Sequence, residues 1–227
     1  MFLAIETSTK LFSVSVGNKD NIIGEIFLNC GLKHSDILHK YIDILLKETG
    51  IRLIDLKKII CSIGPGSFTG IRIGLTTAKT FSQLLNIPLV GISTIDIFAK
   101  NIVLNSLCNN INTKFYICPL IDALHEEVYA GIYMSYDKKI SKIGNYGLFN
   151  IEKFLNKVTK FKNVVFTGDG ALVYSEKIKN SFKNKKINYK ILKLYPKASD
   201  LIFVSSSLKP SFYENVNPLY IKPPKIR

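Results

Sequence analysis

A strand, a glycine-rich turn, a helix and a second strand follow one another within residues 58–94, and this stretch constrains the fold most. Residues 59–63 form an apolar run that ends at the turn Gly-Pro-Gly of residues 64–66, which is typical of a buried strand. A helix is predicted from there to Asn86, and residues 89–92 form the next apolar run. Two strands joined by a helix over so short a stretch indicate a parallel, right-handed crossover. The stretch therefore predicts an α/β protein.

The helix predicted after this turn is apolar over about 200° of its circumference, whereas a helix that covers one sheet needs a stripe of about 100°. Gly70 and Gly74 lie near the middle of the arc, and each costs about 1 kcal/mol of helix stability relative to alanine. Something must approach the backbone closely there, either the domain's own strands or a helix of another protein. A second predicted helix, over residues 36–48, has an equally wide arc. Together they favour a four-helix contact with another subunit, for which the predicted residues are Tyr41, Leu45, Gly70, Ile71, Gly74, Ala78 and Phe81.

The pattern of elements repeats along the chain. Each half predicts three successive strands, a helix, a strand and a helix, and each opens with a strand that ends in an acidic residue, Glu6 or Asp122. Residues 109–112 are polar and typical of a turn. We therefore predict an N-terminal domain at residues 1–110 and a smaller, more basic domain at residues 111–227.

The net charge is +14, and it is unevenly distributed. Residues 1–113 hold 11 basic and 8 acidic side chains, whereas residues 114–227 hold 20 and 9. A run of lysines in the second half could contact RNA phosphates or could be a solvated surface, and Lys183, Lys185 and Lys186 are its predicted RNA contacts. Only three arginines accompany 28 lysines, which is equally well explained by an AT-biased genome.

The sequence G-P-G-S-F-T-G-I-R-I-G-L-T-T-A-K followed by I-P-L-V-G-I-S-T resembles the TsaB (YeaZ) family. These bacterial proteins are needed to make threonylcarbamoyladenosine in tRNA. The stretches D-A-L-H-E-E-V-Y-A-G and N-P-L-Y-I-K extend the resemblance over residues 2–222. Leu124 stands where the family has an arginine, and Lys222 also replaces an arginine.

The resemblance implies two ribonuclease-H-like domains of the actin/Hsp70/sugar-kinase type. It further implies a non-catalytic subunit that supports threonylcarbamoyl transfer to N6 of adenosine 37, in tRNAs that read codons beginning with A. The partners it implies are TsaD, which would carry the metal and the active site, and TsaE, which would supply ATP-dependent turnover. ATP, Mg²⁺ and metal are thus expected only in the partner subunits. A homodimer is expected when TsaD is absent.

Residues 6–9, Glu-Thr-Ser-Thr, are the candidates for a nucleotide contact in this chain. In the actin-like fold the first hairpin contacts phosphates and Mg²⁺, but the resemblance implies the fold and not retained nucleotide binding. The alternative is that Thr7, Ser8 and Thr9 satisfy the backbone of the turn. The turn at residues 64–70 is not a P-loop, because no Gly-Lys-Ser/Thr follows it. We expect no catalytic residue.

No metal site is predicted. His34 and His39 are five residues apart, which is about 140° of rotation on a helix, so their rings cannot share one ion. Two rival functions remain, a free-standing ATP-dependent kinase or ATPase and an RNA-binding module. The chain has no C-x-x-C pair, no signal-peptide pattern and no run of eighteen apolar residues. These features predict a cytoplasmic protein with reduced thiols and no membrane contact.

Overall fold

The computed structural model describes residues 1–31, 33–104, 113–183 and 185–222. The chain divides into two compact units. Within the described residues, the first unit comprises Met1–Ile97 and Pro196–Tyr220, and the second comprises Phe98–Tyr195 with residues 221 and 222. Each unit is built on one five-stranded sheet.

The sheet of the first unit has the strand order β3-β2-β1-β4-β5. Strands β1, β2 and β3 form an antiparallel meander, and β4 and β5 run parallel to β1. The strands are β1 (Phe2–Glu6), β2 (Leu11–Gly17), β3 (Ile22–Asn29), β4 (Lys58–Gly64) and β5 (Leu89–Ser93). Helices α1 (His34–Thr49) and α2 (Phe68–Leu85) pack on one face, over a core that includes Leu3, Leu38 and Leu75. Helix α3 (Thr94–Leu104) follows β5, and a short 3-10 helix (Leu53–Asp55) precedes β4.

The sheet of the second unit has the order β8-β7-β6-β9-β10, with β9 and β10 parallel to β6 and the other pairs antiparallel. Its strands are β6 (Phe115–Asp122), β7 (Glu127–Tyr136), β8 (Lys139–Asn150), β9 (Asn163–Thr167) and β10 (Asn188–Leu192). Its helices are α4 (Ile151–Val158), α5 (Asp169–Val173) and α6 (Ser175–Phe182). Phe154 and Ile178 carry the apolar faces of α4 and α6 into a core with Leu120 and Phe166.

The two sheets share one topology. In each, the first strand lies at the centre, with the meander on one side and the two parallel strands on the other. The predicted repetition of one α/β architecture is therefore confirmed. One predicted helix of the second half is divided at Tyr174, which ends α5 and precedes α6.

The last helix, α7 (Ala198–Ser205), belongs to the first unit, whereas we predicted it in the domain at residues 111–227. The Ala198 N–H donates to Ser13 Oγ on β2 (3.1 Å), and the Ser199 N–H donates to Glu25 Oε1 on β3 (2.8 Å). Lys58 Nζ donates to Ser205 Oγ (3.0 Å). Helix α7 thus covers the face of the first sheet opposite α1 and α2, where its Leu201 packs in one cluster with Ala4 and Ile60. The predicted boundary at residues 109–112 lies outside the described residues.

Within the part of the chain that the structure describes, no helix combines the length and the apolar character that crossing a membrane requires.

Candidate functional site

The amino-terminal half of α2 packs against the end of β1 of the same unit. Thr7 Oγ1 donates to the carbonyl oxygen of Gly70 (2.8 Å), and the Ser67 N–H donates to the carbonyl oxygen of Ser8 (2.8 Å). A Cβ added at Gly70 would lie 2.1 Å from the Thr7 carbonyl oxygen, and one at Gly74 would lie 2.1 Å from Thr7 Oγ1. Of the two explanations for these glycines, close approach within the domain is the one the structure supports.

Most residues of the predicted partner contact are buried inside the first unit. Leu45, Ile71 and Ala78 belong to its buried core, and both glycines of α2 face β1. Only Tyr41 and Phe81 of the predicted set are half-buried and reach the surface. The five residues Leu45, Gly70, Ile71, Gly74 and Ala78 are therefore buried within this unit rather than exposed to a partner.

On α1 the exposed apolar side chains lie at one edge of the apolar arc, whereas on α2 they include Phe81, which lies near the centre of the arc but beyond the helical turns that contact the hairpin. The exposed part of the helix pair consists of half-buried apolar side chains three, four or eight positions apart on each helix, together with Leu84, which is 76% exposed. We call this surface the α1–α2 face and define it by Ile37, Tyr41 and Ile44 of α1 and Ile73, Phe81 and Leu84 of α2. The width of the two arcs was the sequence signal for this face, but the helical wheel could not show which part of the α2 arc the hairpin after β1 would cover.

The hairpin between β1 and β2 uses its candidate side chains internally. Glu6 Oε1 accepts hydrogen bonds from the Ser8 N–H (2.7 Å) and from Ser8 Oγ (2.5 Å). Thr9 Oγ1 accepts from the Leu11 N–H (3.2 Å), and Glu6, Thr7 and Ser8 are all buried. Burial raises the pKa of Glu6 to about 7, against the lowering effect of the hydrogen bonds from Ser8. These contacts match the alternative in which the side chains satisfy the turn.

The corresponding place in the second unit is built with two aspartates. Asp122 Oδ1 accepts from the Leu124 N–H (3.0 Å) and from the Tyr174 hydroxyl (3.1 Å). Asp169 Oδ1 accepts from the Asp122 N–H (3.2 Å) and the Gly170 N–H (2.9 Å). Burial raises the pKa of Asp169, although both backbone bonds oppose the rise. The two carboxylates thus tie the end of β6 to the start of α5.

The tip of the β6–β7 hairpin has an unusual backbone. Leu124, His125 and Glu126 have φ angles of 62°, 51° and 62°, a region that side-chain-bearing residues rarely adopt. Leu124, at the position where the family has an arginine, is largely exposed. The hairpin tip is held by the bond from the Ile151 N–H to the Glu126 carbonyl oxygen (2.9 Å) and by the ion pair of Lys177 with Glu126.

The basic run divides into paired and exposed lysines. Lys177 bridges Glu126 and Glu152, and Lys179 pairs with Glu176. The predicted tRNA contacts Lys183, Lys185 and Lys186 are exposed on the loop between α6 and β10. They are therefore accessible to a polyanion, and a solvated surface would look the same.

The two histidines of the rejected metal site have different environments. His34 is buried with Nε2 3.3 Å from the Leu11 carbonyl oxygen, whereas His39 is exposed. Across the described ranges, no three His, Cys, Asp or Glu side chains come together as a metal site.

A contact that we did not predict holds the C-terminal segment on α2. Arg72 Nε donates to the Tyr220 hydroxyl (2.9 Å), and its guanidinium carbon lies 3.9 Å from the centre of the Phe68 ring. The Leu219 N–H donates to the Ile63 carbonyl oxygen (2.7 Å). The only sequence signal was the N-P-L-Y motif, whose partner on α2 the sequence does not identify.

Comparisons with known proteins agree with this architecture. The model of the family described as TsaD, tRNA N6-adenosine threonylcarbamoyltransferase, matches residues 29–224. The tRNA threonylcarbamoyladenosine biosynthesis protein TsaB of Buchnera aphidicola subsp. Schizaphis graminum is 32% identical over 204 residues, which cover 89% of this chain and 91% of that protein.

Two solved structures place the fold. YeaZ from Pseudomonas aeruginosa superimposes with a TM-score of 0.75 at 22% identity, covering 96% of this chain and 98% of that one. A ROK hexokinase from Thermus thermophilus superimposes with a TM-score of 0.52 at 9% identity, covering 90% and 97%. The predicted two-domain, actin-like α/β fold is thus confirmed. The chain belongs to the family that the TsaD model describes and, within it, to the TsaB proteins.

Proposed function

We propose that this protein acts in the biosynthesis of threonylcarbamoyladenosine in tRNA, as a cytoplasmic subunit that binds a TsaD-type protein through the α1–α2 face. The name of the Buchnera relative and the TsaD family model support the pathway. The observation that carries the interface is the group of half-buried apolar side chains on two helices that contact each other, with Leu84 left 76% exposed. Exposed apolar surface grouped on one face marks an interaction site.

We propose further that the chain is non-catalytic and that ATP, Mg²⁺ and any metal are held by the partner subunits. Support comes from the first hairpin, where Glu6, Thr7 and Ser8 are buried and bonded to their own turn. Mg²⁺ usually keeps several water ligands and binds one or two carboxylates of the protein. The carboxyl group of Glu6 is fully buried, so it is not accessible to a hydrated Mg²⁺. TsaE would supply ATP-dependent turnover, and a homodimer would form through the same face when TsaD is absent.

The rival function is a free-standing ATP-dependent kinase of the actin-like superfamily. The hexokinase likeness bears on the fold alone, at 9% identity. Calorimetry of the isolated protein with ATP and Mg²⁺ separates the two functions. We expect no binding at micromolar concentration, and turnover that Glu6→Ala abolishes would favour the kinase.

Replacing Leu84 with Glu tests the interface without disturbing the core, because the side chain is mostly in solvent. A buried charge at a partner contact costs several kcal/mol, so we expect the Leu84→Glu protein to elute apart from co-expressed cognate TsaD. Phe212→Glu is the matched control, since Phe212 is also 76% exposed and lies outside the α1–α2 face. Co-elution of Leu84→Glu with TsaD, or equal loss in both variants, would contradict the interface.

We also propose that any tRNA contact of this subunit uses the exposed lysines of the second unit. Changing Lys183, Lys185 and Lys186 together to Glu should weaken tRNA binding by the assembled complex and reduce its salt dependence, because each phosphate contact releases counterions. The measurement is tRNA affinity across a salt titration. Unchanged affinity would mean that these lysines form only a solvated surface.

A further inference from the structure

The three parallel strands of the second sheet begin side by side at one edge of the sheet. Asn163 of β9 pairs with Asn188 of β10, so these two strands begin at the same level. The pairing of Tyr116 with Val164 puts the start of β6 beside them. The β7–β8 hairpin turns at the same edge, because β7 is antiparallel to β6. We call this edge the amino edge and define it by residues 113–115, 136–139, 158–163 and 182–188.

The two edges of this sheet carry opposite charge. The amino edge includes Lys183, Lys185 and Lys186, and within the described residues it adds Asp137 and five further lysines, which are Lys114, Lys138, Lys139, Lys160 and Lys162. The opposite edge, which we call the carboxyl edge, consists of residues 122–127, 150–151, 167–169 and 192–195. It holds Lys193 and four acidic residues, which are Asp122, Glu126, Glu127 and Asp169. The formal charge is therefore +7 at the amino edge (eight minus one) and −3 at the carboxyl edge (one minus four).

The positive charge of the amino edge is not compensated by ion pairs. All eight lysines are exposed, and none of them belongs to a salt bridge within the part of the chain that the structure describes. At the carboxyl edge, by contrast, Glu126 pairs with Lys177 and Glu127 pairs with Lys222. A lysine-rich composition would place lysines at both edges, so composition alone does not explain this separation of charge.

Hydrogen bonds hold the connections of the amino edge against one another. The Asn188 N–H donates to the Lys162 carbonyl oxygen (2.7 Å), and Asn163 Nδ2 donates to the Lys114 carbonyl oxygen (3.2 Å). Lys114 and Lys162 each precede the first residue of one of two neighbouring strands, which lie about 4.8 Å apart. Like charges so placed repel each other. An anion that contacts both ammonium groups removes this repulsion.

An aromatic pair orders two lysines of the amino edge. The rings of Tyr116 and Phe161 stack with their centroids 3.8 Å apart. Lys114 Nζ lies 5.6 Å from the centre of the Tyr116 ring, and Lys160 Nζ lies 5.3 Å from the centre of the Phe161 ring. Cation–π contacts of this kind hold an ammonium group in place. Less side-chain entropy is therefore lost when these two lysines bind an anion.

We propose that the amino edge is a binding site for the phosphate backbone of RNA, formed jointly by its four connections. Five strands about 4.8 Å apart give the row of lysines a length of about 19 Å. One strand of a nucleic-acid duplex carries a phosphate about every 3.4 Å of its axis, so several phosphates face the row. Phosphate contacts carry no sequence information, so binding is independent of sequence. That the polyanion is RNA rests on the proposed function, whereas the separation of charge does not.

The first test compares charge reversal at the amino edge with the same change elsewhere in the unit. The edge variant replaces Lys114 and Lys162 with Glu. The control variant replaces Lys153 and Lys193 with Glu, two exposed lysines outside the amino edge. Each variant reverses two charges, so the net charge falls from +14 to +10 in both. Glutamine at Lys114 and Lys162 is a milder version of the edge variant.

The measurement is the affinity of the isolated full-length protein for an unmodified tRNA transcript, between about 50 and 200 mM salt. At about 50 mM salt each phosphate contact contributes about a factor of ten, so the edge variant should bind about 100-fold more weakly. Its salt slope should be smaller by about 2, and that of the control variant should not change. Equal losses in the two variants, or no binding by the unaltered protein at about 50 mM salt, would overturn the proposal.

The second test locates the contact residue by residue. Lysines are acetylated with an amine-reactive reagent with and without the tRNA transcript, and the modified sites are read by mass spectrometry. The lysines of the amino edge should be protected by tRNA, whereas Lys153 and Lys193 should not. Equal protection of both sets would overturn the site. Tighter binding to phosphatidylglycerol vesicles than to tRNA at the same salt would overturn RNA as the occupant and favour a membrane surface.

These tests use the isolated protein, so their outcome is separable from that of the proposed function. If Leu84→Glu still binds TsaD while tRNA protects the amino edge, the proposed interface fails and the RNA site stands. If the edge and control variants bind tRNA equally while Leu84→Glu loses TsaD, the RNA site fails and the proposed interface stands.

Discussion

The two units have the same topology but differ in how their first strand contacts the helix that follows their fourth strand. These elements are β1 and α2 in the first unit, and β6 and α5 in the second. In the first unit Thr7 of the hairpin approaches both glycines of α2, with its carbonyl oxygen against Gly70 and its side-chain Oγ1 against Gly74. In the second unit Gly168 and Gly170 approach Leu120, and the Asp169 carboxylate adds the hydrogen bonds. The first helix then continues for 18 residues, whereas the second stops after five.

This difference teaches that a repeated strand order does not imply a repeated site. The carboxyl of the first hairpin is fully buried and bonds its own turn, whereas Asp122 of the second is half-buried and bonds a tyrosine hydroxyl. The first unit thus has two long helices, α1 and α2, with exposed apolar side chains on the α1–α2 face. The second keeps short helices and exposed lysines.

The largest expected difference between the units is in the dependence of stability on pH. The folded pKa of Glu6, about 7, exceeds its ordinary value of 4.5, so the unfolded chain loses this proton first as pH rises. The stability that the proton contributes is present below pH 4.5 and is lost by pH 7, which amounts to about 3 kcal/mol. Urea unfolding of Glu6→Gln should lack this loss.

Asp169→Asn is the comparison in the second unit. Burial raises the pKa of Asp169 too, so the sign is the same, but two backbone N–H bonds favour its charged form. We therefore expect a smaller effect. If Glu6→Gln and Asp169→Asn change the pH dependence of the unfolding free energy equally, the expected difference between the two carboxyl groups is wrong.

The next effect concerns the glycines. An added Cβ at Gly70 meets a carbonyl oxygen at 2.1 Å, whereas at Gly170 the nearest atoms are 3.0 Å away. Overpacking costs about 1–3 kcal/mol or more, and alanine returns about 1 kcal/mol of helix propensity. Gly70→Ala should lose about 2 kcal/mol in urea unfolding and Gly170→Ala less than about 1 kcal/mol. Equal losses would show that the two contacts are equally tight.

The smallest effect is in the hydroxyl groups that bond the two hairpin carboxylates. Ser8→Ala removes a buried donor to Glu6, and we expect a loss of about 1 kcal/mol. Tyr174→Phe removes the half-buried donor to Asp122 and should cost about 0.5 kcal/mol. Thermal unfolding of both variants measures these stability losses. A larger loss in Tyr174→Phe than in Ser8→Ala would contradict the expected order.

The sequence predicted the repeated topology because alternation, turns and helical periodicity are local signals. It predicted a close approach at Gly70 and Gly74 for the same reason, since a glycine pair within an apolar arc is visible in one helix. The neighbour that makes the approach was not predictable, because Thr7 lies 63 residues from Gly70. The partner surface was therefore placed at the centre of the arc, where the structure has the hairpin.

The assignment of residues 196–220 failed on the same physical ground. Helix α7 is ordinary in sequence, and it is placed by polar contacts with Ser13 and Glu25, which are 185 and 174 residues away from their partners on α7. The hairpin carboxyl was recognised as a candidate residue, but its burial depends on that distant helix and could not be read from the turn.

The return of α7 to the first sheet has a consequence for synthesis of the chain. Domains generally fold as units, the N-terminal one first, as the ribosome extends the polypeptide. Here the apolar cluster around Ala4 and Ile60 is incomplete until residues 198–205 have left the ribosome. The second unit, whose strands and helices lie between, can complete its own sheet sooner. The first domain to begin is therefore the last to finish, and during translation its uncovered apolar face is the surface on which a chaperone would act.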